Sequence, residues 1–443
     1  MRNVLLNLLV AAMLFASSVA AQSSAMVADV GAEQVDAIYP DVEKLYIDLH
    51  RNPELAFHER RTATTLAARV KALGYEVTTG VGGTGIVAIL KNGPGPVVML
   101  RTELDALPIE EKTDLPFASV MKTKNEAGEL VPVAHMCGHD IHMSAWAGTA
   151  ELMARNRDHW HGTLMLVGQP AEEIVSGAAA MIRDGLFTRF PKPDYALGVH
   201  VEASLPAGVL GFHAAYFRAA VSNLDITVYG KGGHGAFPQN AVDPVVLAAR
   251  IVLGLQTIVS RENNPTDPAV ITVGSVHGGS AWNIIPDQVK LQLTVRAFNP
   301  EVHKHLLNAI ARQTKGEAMA ANAPREPLIE TKSSTDAVYN DPELTLRAAA
   351  AARAALGTEQ VVEMPAQMPS EDFSQFGLAG VRSVLLHVGA IDAGKLEAAS
   401  QTGVSIPGSH TSFFAPVREP TIKAMISAET AILMDLLDGK AGS

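Results

Sequence analysis

The stretch TLMLVGQPAEE, Thr163–Glu173, decides the fold. An apolar run of strand length stops at a Gly-Gln-Pro break, and two glutamates follow at once. Burial and ionisable chemistry therefore meet within a few residues. The same texture appears in GIVAIL (85–90), PVVMLRTELDALP (96–108) and YALGVH (195–200). Between these runs lie the helical stretches HMSAWAGTAELMARN (142–156) and GAAAMIRDG (177–185). Strands alternating with helices predict an α/β domain with a mainly parallel sheet. In such sheets ligands bind beyond the carboxyl ends of the strands. The clusters ELD, QPAEE and GVH, each directly after an apolar run, are therefore candidate site loops.

Working outward, Val35 to Gly74 reads as two helices turning at RNPELAF (51–57). A different pattern begins at Phe217: strand NLDITVYG, helix DPVVLAARIVLGLQTIVSR, strands AVITVGSV and QVKLQLTVRAF, helix PEVHKHLLNAIARQTKGEAMAA. This βαββα order suits a small α+β domain with helices on one face of its sheet. The first texture then returns in PELTLRAAAAARAAL and SVLLHVGA. The expected organisation is a catalytic domain in two parts, 30–216 and 333–443, interrupted by an inserted domain at 217–332. A chain of 443 residues has room for both cores.

Hydrophobic residues make up 47% and charged residues 18%, which excludes a solvated, disordered chain. The formal net charge of -11 argues against a nucleic-acid partner. At the start, Arg2, an apolar run of about a dozen residues and the small residues Ser18 to Ala21 have the layout of a secretory signal peptide. Residues 1–21 are expected to be cleaved, giving an exported, periplasmic or secreted protein with no membrane attachment afterwards.

Export makes the single cysteine informative, because it has no intrachain partner for a disulfide. Cys137 lies in AHMCGHDIHM, two residues before His139, and in an extended segment both side chains would face one metal ion. Glu172, Glu173 and His200 are further ligand types at the candidate loops, and His410 follows much later in PGSH. One thiolate, one carboxylate and three imidazoles suit one or two divalent transition metals such as zinc, manganese, cobalt or nickel. Adjacent glutamates point in different directions, so one can bind metal while the other acts as a proton carrier.

Taken in order, RTELDALP, HMCGHDIH, GQPAEE, GVH, GKGGHGAFP, NIIP, PSEDF and PGSH resemble the di-metal aminoacylase/carboxypeptidase-type metallopeptidases. The nearer likeness is to the amidohydrolase branch of hippurate hydrolases, N-acyl amino acid hydrolases and auxin-conjugate hydrolases. That resemblance implies two divalent ions held by Cys137, His139, Glu173, His200 and His410. It implies Glu172 as general base and Asp105 as the carboxylate orienting a ligand histidine. The inserted domain would make a homodimer contact and send His234 to the partner's site to stabilise an oxyanion. Asn283 and Arg296 would hold the substrate's carboxylate. The branch usually reads Arg-Ala-Asp-Met-Asp where this chain has Arg-Thr-Glu-Leu-Asp, so Glu103 replaces a shorter acid. GKGGHGAFP is not a phosphate loop, since it lacks the Gly-Lys-Ser/Thr ending.

The expected activity is metal-dependent hydrolysis of the amide in N-acyl amino acids, related carboxylate-bearing conjugates or small peptides. The alternatives are a metallo-carboxypeptidase or dipeptidase of the same fold, a cysteine hydrolase using Cys137, and an exported metal- or ligand-binding protein. Within AHMCGHDIHM, His135, Asp140 and His142 read as supporting residues. His387, on an apolar strand, reads as a core histidine.

Overall fold

The computed structural model describes residues 31–125 and 127–438, and the signal segment expected at 1–21 lies outside them. Helices α1 (Ala32–Arg51) and α2 (Arg60–Ala72) come first. Val35, Ile38, Val42, Leu45 and Leu49 of α1 recur at helical spacing and are all buried. Strands β1 (Glu76–Val81), β2 (Gly85–Asn92) and β3 (Val97–Glu103) follow. Next are α3 (His139–Arg155), β4 (Gly162–Gln169), β5 (Tyr195–Pro206) and β6 (Leu210–Phe212). The chain continues through β7 (Ala220–Tyr229), α4 (Pro244–Thr257), β8 (Ala269–Gly278), β9 (Gln288–Ala297), α5 (Pro300–Ala320) and β10 (Leu328–Thr335). Then come α6 (Pro342–Leu356), β11 (Val361–Glu363), β12 (Arg382–Ile391) and α7 (Arg418–Leu437).

These elements form two compact units. Unit 1 runs to Ala214 and resumes over Asn340–Met364 and from Ala379. Its eight-stranded sheet has the order β1-β2-β4-β3-β5-β12-β6-β11. The central ladders β4/β3, β3/β5 and β5/β12 are parallel, while β1/β2 and β2/β4 are antiparallel. Strands buried on both faces need near-continuous apolar runs, which is why β3 and β4 read as they do. Register levels their ends: Glu103 pairs with Gln169, and Arg101 with Gly198. Acidic loops and His200 thus emerge at one edge.

Unit 2 comprises Ala215–Tyr339 and Pro365–Leu378. Its antiparallel sheet, β8-β9-β7-β10, packs Ile226, Leu291 and Val295 with Leu247, Ile251 and Leu255 of α4 and with Leu306 and Ile310 of α5. Asp243 and Asn299 accept backbone amides at the starts of α4 and α5, each followed by proline. Such caps contribute about 1 kcal/mol apiece. The expected βαββα pattern gains a fourth strand, β10, whose sequence LIETKSST is mostly exposed and lacks apolar alternation. The sequence places 333–443 in the catalytic domain, whereas residues 333–339 and Pro365–Leu378 belong to unit 2.

Pro244–Glu262 is long and apolar enough to cross a membrane by length and composition. Its Leu247, Ile251, Leu255 and Ile258 lie in the unit 2 core, as in an amphipathic core helix.

Candidate metal centre

In unit 1, Glu103 ends β3, Cys137 and His139 stand at the start of α3, Glu172 and Glu173 follow β4, and His200 lies in β5. His410 comes from the loop before α7. The structure gathers the sequence-predicted donors around the Cys137 sulfur. His410 Nε2 is 3.3 Å from Sγ and His200 Nε2 is 3.5 Å away. Glu173 Oε2 lies 3.3 Å from His410 Nε2, and its Oε1 lies 3.8 Å from His139 Nε2. Donor atoms of Cys137, His139 and Glu173 all fall within 4.8 Å of one another.

The local turn differs from the extended segment expected for Cys-x-His. Gly138 adopts φ +84 and α3 begins at His139, so a tight turn brings the two side chains to one place. A Cβ on Gly138 would lie 2.7 Å from Val201 Cγ2, so only glycine fits. Three non-glycine residues near the donors are also left-handed: Ala171 (φ 51), Val175 (φ 48) and His410 (φ 64). Each conformation costs on the order of 1 kcal/mol and persists because its surroundings impose it. Glu59 Oε1 accepts the Ala171 amide at 2.8 Å, Asp105 Oδ2 accepts the Glu173 amide at 2.9 Å, and Met136 O accepts the His410 amide at 2.7 Å.

Ring orientation suits metal binding. His139 Nδ1 lies 2.8 Å from the Asp105 carbonyl oxygen and His200 Nδ1 lies 2.7 Å from that of Val201. A donor N–H at Nδ1 leaves the Nε2 lone pair for a cation, the tautomer a ligand histidine needs. The buried His139 Nε2 finds no hydrogen-bonding partner. Burial, then the Glu173 charge, push the Cys137 thiol well above its ordinary pKa. A bound cation reverses that balance, because a coordinating thiol is deprotonated outright. These residues fit a divalent transition-metal centre. Glu172 is buried with Oε2 3.7 Å from His139 Nε2.

Asp105 has a divided part: its carbonyl is the nearer partner of His139, while its Oδ1 lies 3.5 Å from His139 Nδ1. His142, Asp140 and His135 are supporting groups as the sequence reading expects, but it missed their partners. Both nitrogens of His142 are engaged, with Nδ1 2.9 Å from Glu103 Oε2 and Nε2 accepting the Val201 amide at 2.9 Å. Glu103 also pairs with Arg101, whose Nε donates to Gln169 Oε1 at 2.9 Å. The longer acid thus bridges Arg101 and His142 behind the donors. His50 Nδ1 lies 2.6 Å from Asp140 Oδ2 and its Nε2 3.0 Å from Glu111 Oε1. His135 is buried, which lowers its pKa to about 4 and keeps it neutral. His387 is fully buried, 3.3 Å from Glu202 Oε2. No local spacing announces the acidic partners of His50 and His142, which lie 39 to 90 residues away.

Unit 2 holds the remaining predicted residues. The Gly235 amide donates to the Asn283 carbonyl at 2.9 Å and His234 pairs with Ile284, so the GKGGHGAFP and NIIP motifs lie side by side. His234 and Asn283 are exposed. Arg296 Nη1 donates to Met368 O at 2.9 Å and Ser370 Oγ at 3.1 Å.

The pattern of peptidase family M20/M25/M40 matches residues 99–401. The IAA-amino acid hydrolase ILR1-like 2 of Arabidopsis thaliana is 34% identical over 389 residues, 84% of this chain and 84% of its own length. The N-acetyl-L-cysteine deacetylase of Bacillus subtilis is 36% identical, over 74% of this chain and 75% of its own. A solved Bacillus subtilis structure, a dinuclear metal binding peptidase from the M20 family, has a TM-score of 0.72 at 28% identity, covering 90% of this chain and 98% of that one. The chain belongs to peptidase family M20/M25/M40, as a hydrolase of amide bonds whose centre takes two divalent metal ions.

Proposed function

We propose that this chain hydrolyses the amide joining an acyl group to an amino acid or related carboxylate-bearing conjugate. The convergence of one thiol, one carboxylate and three imidazole Nε2 atoms, with a second carboxylate 3.7 Å from His139, carries this reading. Both sequence relatives compared above are named for cleaving such N-acyl amino acids. Cys137, His139, Glu173, His200 and His410 hold the metal ions. Bound divalent ions supply Lewis acidity toward water and the scissile carbonyl.

Glu172 Oε2 takes the proton of the attacking water and returns it to the leaving nitrogen. Asp105 fixes the His139 ring and the Glu173 amide. Asn283 and Arg296 bind the free carboxylate, and the exposed His234 donates to the carbonyl oxygen in a partner's site. The partner is a second copy of this chain, joined through unit 2, where α4 exposes Val245, Val246 and Leu253 and β8 exposes Val276. Residues 1–21 direct export to the periplasm or the medium.

Glu172→Gln is the test. It keeps metal bound while lowering hydrolysis of N-acetyl and N-benzoyl amino acids by about 10²- to 10⁴-fold. Ordinary turnover by the metal-loaded variant removes Glu172 as the base. Turnover of dipeptides alone by the wild-type enzyme would instead make it a dipeptidase.

A further inference from the structure

Unit 2 contains a buried guanidinium without an acidic partner. Arg218, at the end of the short strand Ala215–Arg218, is 6% exposed, and its Nε finds no hydrogen-bonding partner. Its side chain enters no ion pair among the described residues. Its chain neighbours Phe217, Ala219 and Ala220 are buried and apolar. The other buried arginine among the described residues does have a carboxylate: Arg101, 2% exposed, pairs with Glu103. Removing a charge from water costs several kcal/mol when nothing compensates it. Arg218 is therefore a charge awaiting an anion.

Its placement narrows which anion. The Ala219 amide donates to Gln367 O at 3.2 Å and the Gln367 amide donates to Phe217 O at 2.8 Å, pinning Arg218 against the segment Gln367–Ser370. Arg296 donates to Met368 and Ser370 of that same segment, and it too has no carboxylate partner among the described residues. Two guanidinium groups of unit 2 thus flank one short segment, each lacking a counter-charge.

We propose that Arg218 binds a second carboxylate of the ligand whose first carboxylate is taken by Arg296, so that the favoured substrates are amides carrying two carboxylates. This rests on the N-acyl amino acid reading above. The second carboxylate belongs either to a dicarboxylic acyl arm or to the side chain of an acidic amino acid. Both offer the planar, two-oxygen acceptor that a guanidinium fork matches.

The experiment compares N-acetylalanine, N-acetylglutamate and N-succinylalanine on the metal-loaded enzyme, as wild type, Arg218→Met and Arg218→Lys. At least one dianionic substrate exceeds N-acetylalanine in kcat/KM, and Arg218→Met lowers that ratio about 10- to 100-fold, mainly through KM. Arg218→Lys restores part of it. Whichever dianionic substrate loses its advantage identifies the arm that Arg218 reads. An equal effect of Arg218→Met on all three substrates, or no dianionic preference in the wild type, overturns the proposal. Calorimetric titration with glutarate, a dianion without an amide, separates it from the amidohydrolase reading. If no amide is cleaved but glutarate binds the wild type at least 10-fold more tightly than Arg218→Met, the anion site stands and the amide reading falls. Equal glutarate binding by both overturns the site.

Discussion

His50 sits between two carboxylates, Asp140 and Glu111, and both ring nitrogens must donate to satisfy them. Burial works against charging the ring, but the hydrogen bonds to Asp140 and Glu111 outweigh it and raise its pKa from 6.5 to about 10. A group whose folded pKa is raised stabilises the fold fully below its unfolded value and loses that stabilisation as pH rises through the folded value. The window here runs from about 6.5 to about 10, and at about 1.4 kcal/mol per unit the stake is on the order of 5 kcal/mol. His50→Gln removes the positive charge between the two carboxylates, which keep only neutral donors from Ile141, Thr113 and Ser119, and this costs about 3–5 kcal/mol near neutral pH. The assay is urea unfolding at pH 6, 7.5, 9 and 10 for both proteins, with chelator present so that metal ligands add no proton release. Wild type should lose about 1.4 kcal/mol more per pH unit than His50→Gln through this window, so the two curves converge toward pH 10. Curves that stay parallel from pH 6 to 10 would show that His50 carries no linked charge. The reasoning would then fail.

Glu59 accepts the Ala171 and Phe57 amides on one oxygen, at 2.8 and 2.9 Å. Glu59→Ala leaves these amides without an acceptor, at about 1–3 kcal/mol each, whereas Glu59→Gln keeps the carbonyl acceptor and most of the stability. Denaturant midpoints separate the two. Glu103→Asp, which restores the shorter acid usual in the branch, cannot span Arg101 and His142 together. It should weaken metal binding about 10-fold and cost about 1–3 kcal/mol, read by metal titration and thermal unfolding.

Glu172, Glu173 and His200 were legible because each ends or follows an apolar strand-like run, and a sheet with parallel central ladders collects such ends at one edge, whereas Cys137, His139 and His410 were legible through their donor types and motifs. The turn at Gly138 was not, since Cys-x-His fits an extended segment as well as a helix start. Nor was the role of Glu103, whose partners Arg101 and His142 lie two residues and a helix away. Arg218 carried no signal at all: a single arginine in an apolar run becomes notable only when its side chain is seen to be buried and to pair with no acid. β1 and β10 escaped because few of their residues are buried and they do not alternate between apolar and polar. The spacing of apolar residues reports faces that are buried. Strands at sheet edges, and polar residues that find partners far along the chain, leave little trace of that kind.

The interruption of unit 1 sets an order of events during synthesis. Cys137, His139, Glu173 and His200 all precede unit 2, and His410 follows β12, the strand that pairs with both β5 and β6. The sheet cannot close, nor the donor set fill, until some two hundred further residues have emerged. Unit 2, nearly contiguous, can fold first and shorten the loop that unit 1 must close. An incomplete chain therefore offers a thiol and two imidazoles with no final ligand, and stable metal capture becomes a marker that translation has passed the last strand of the sheet.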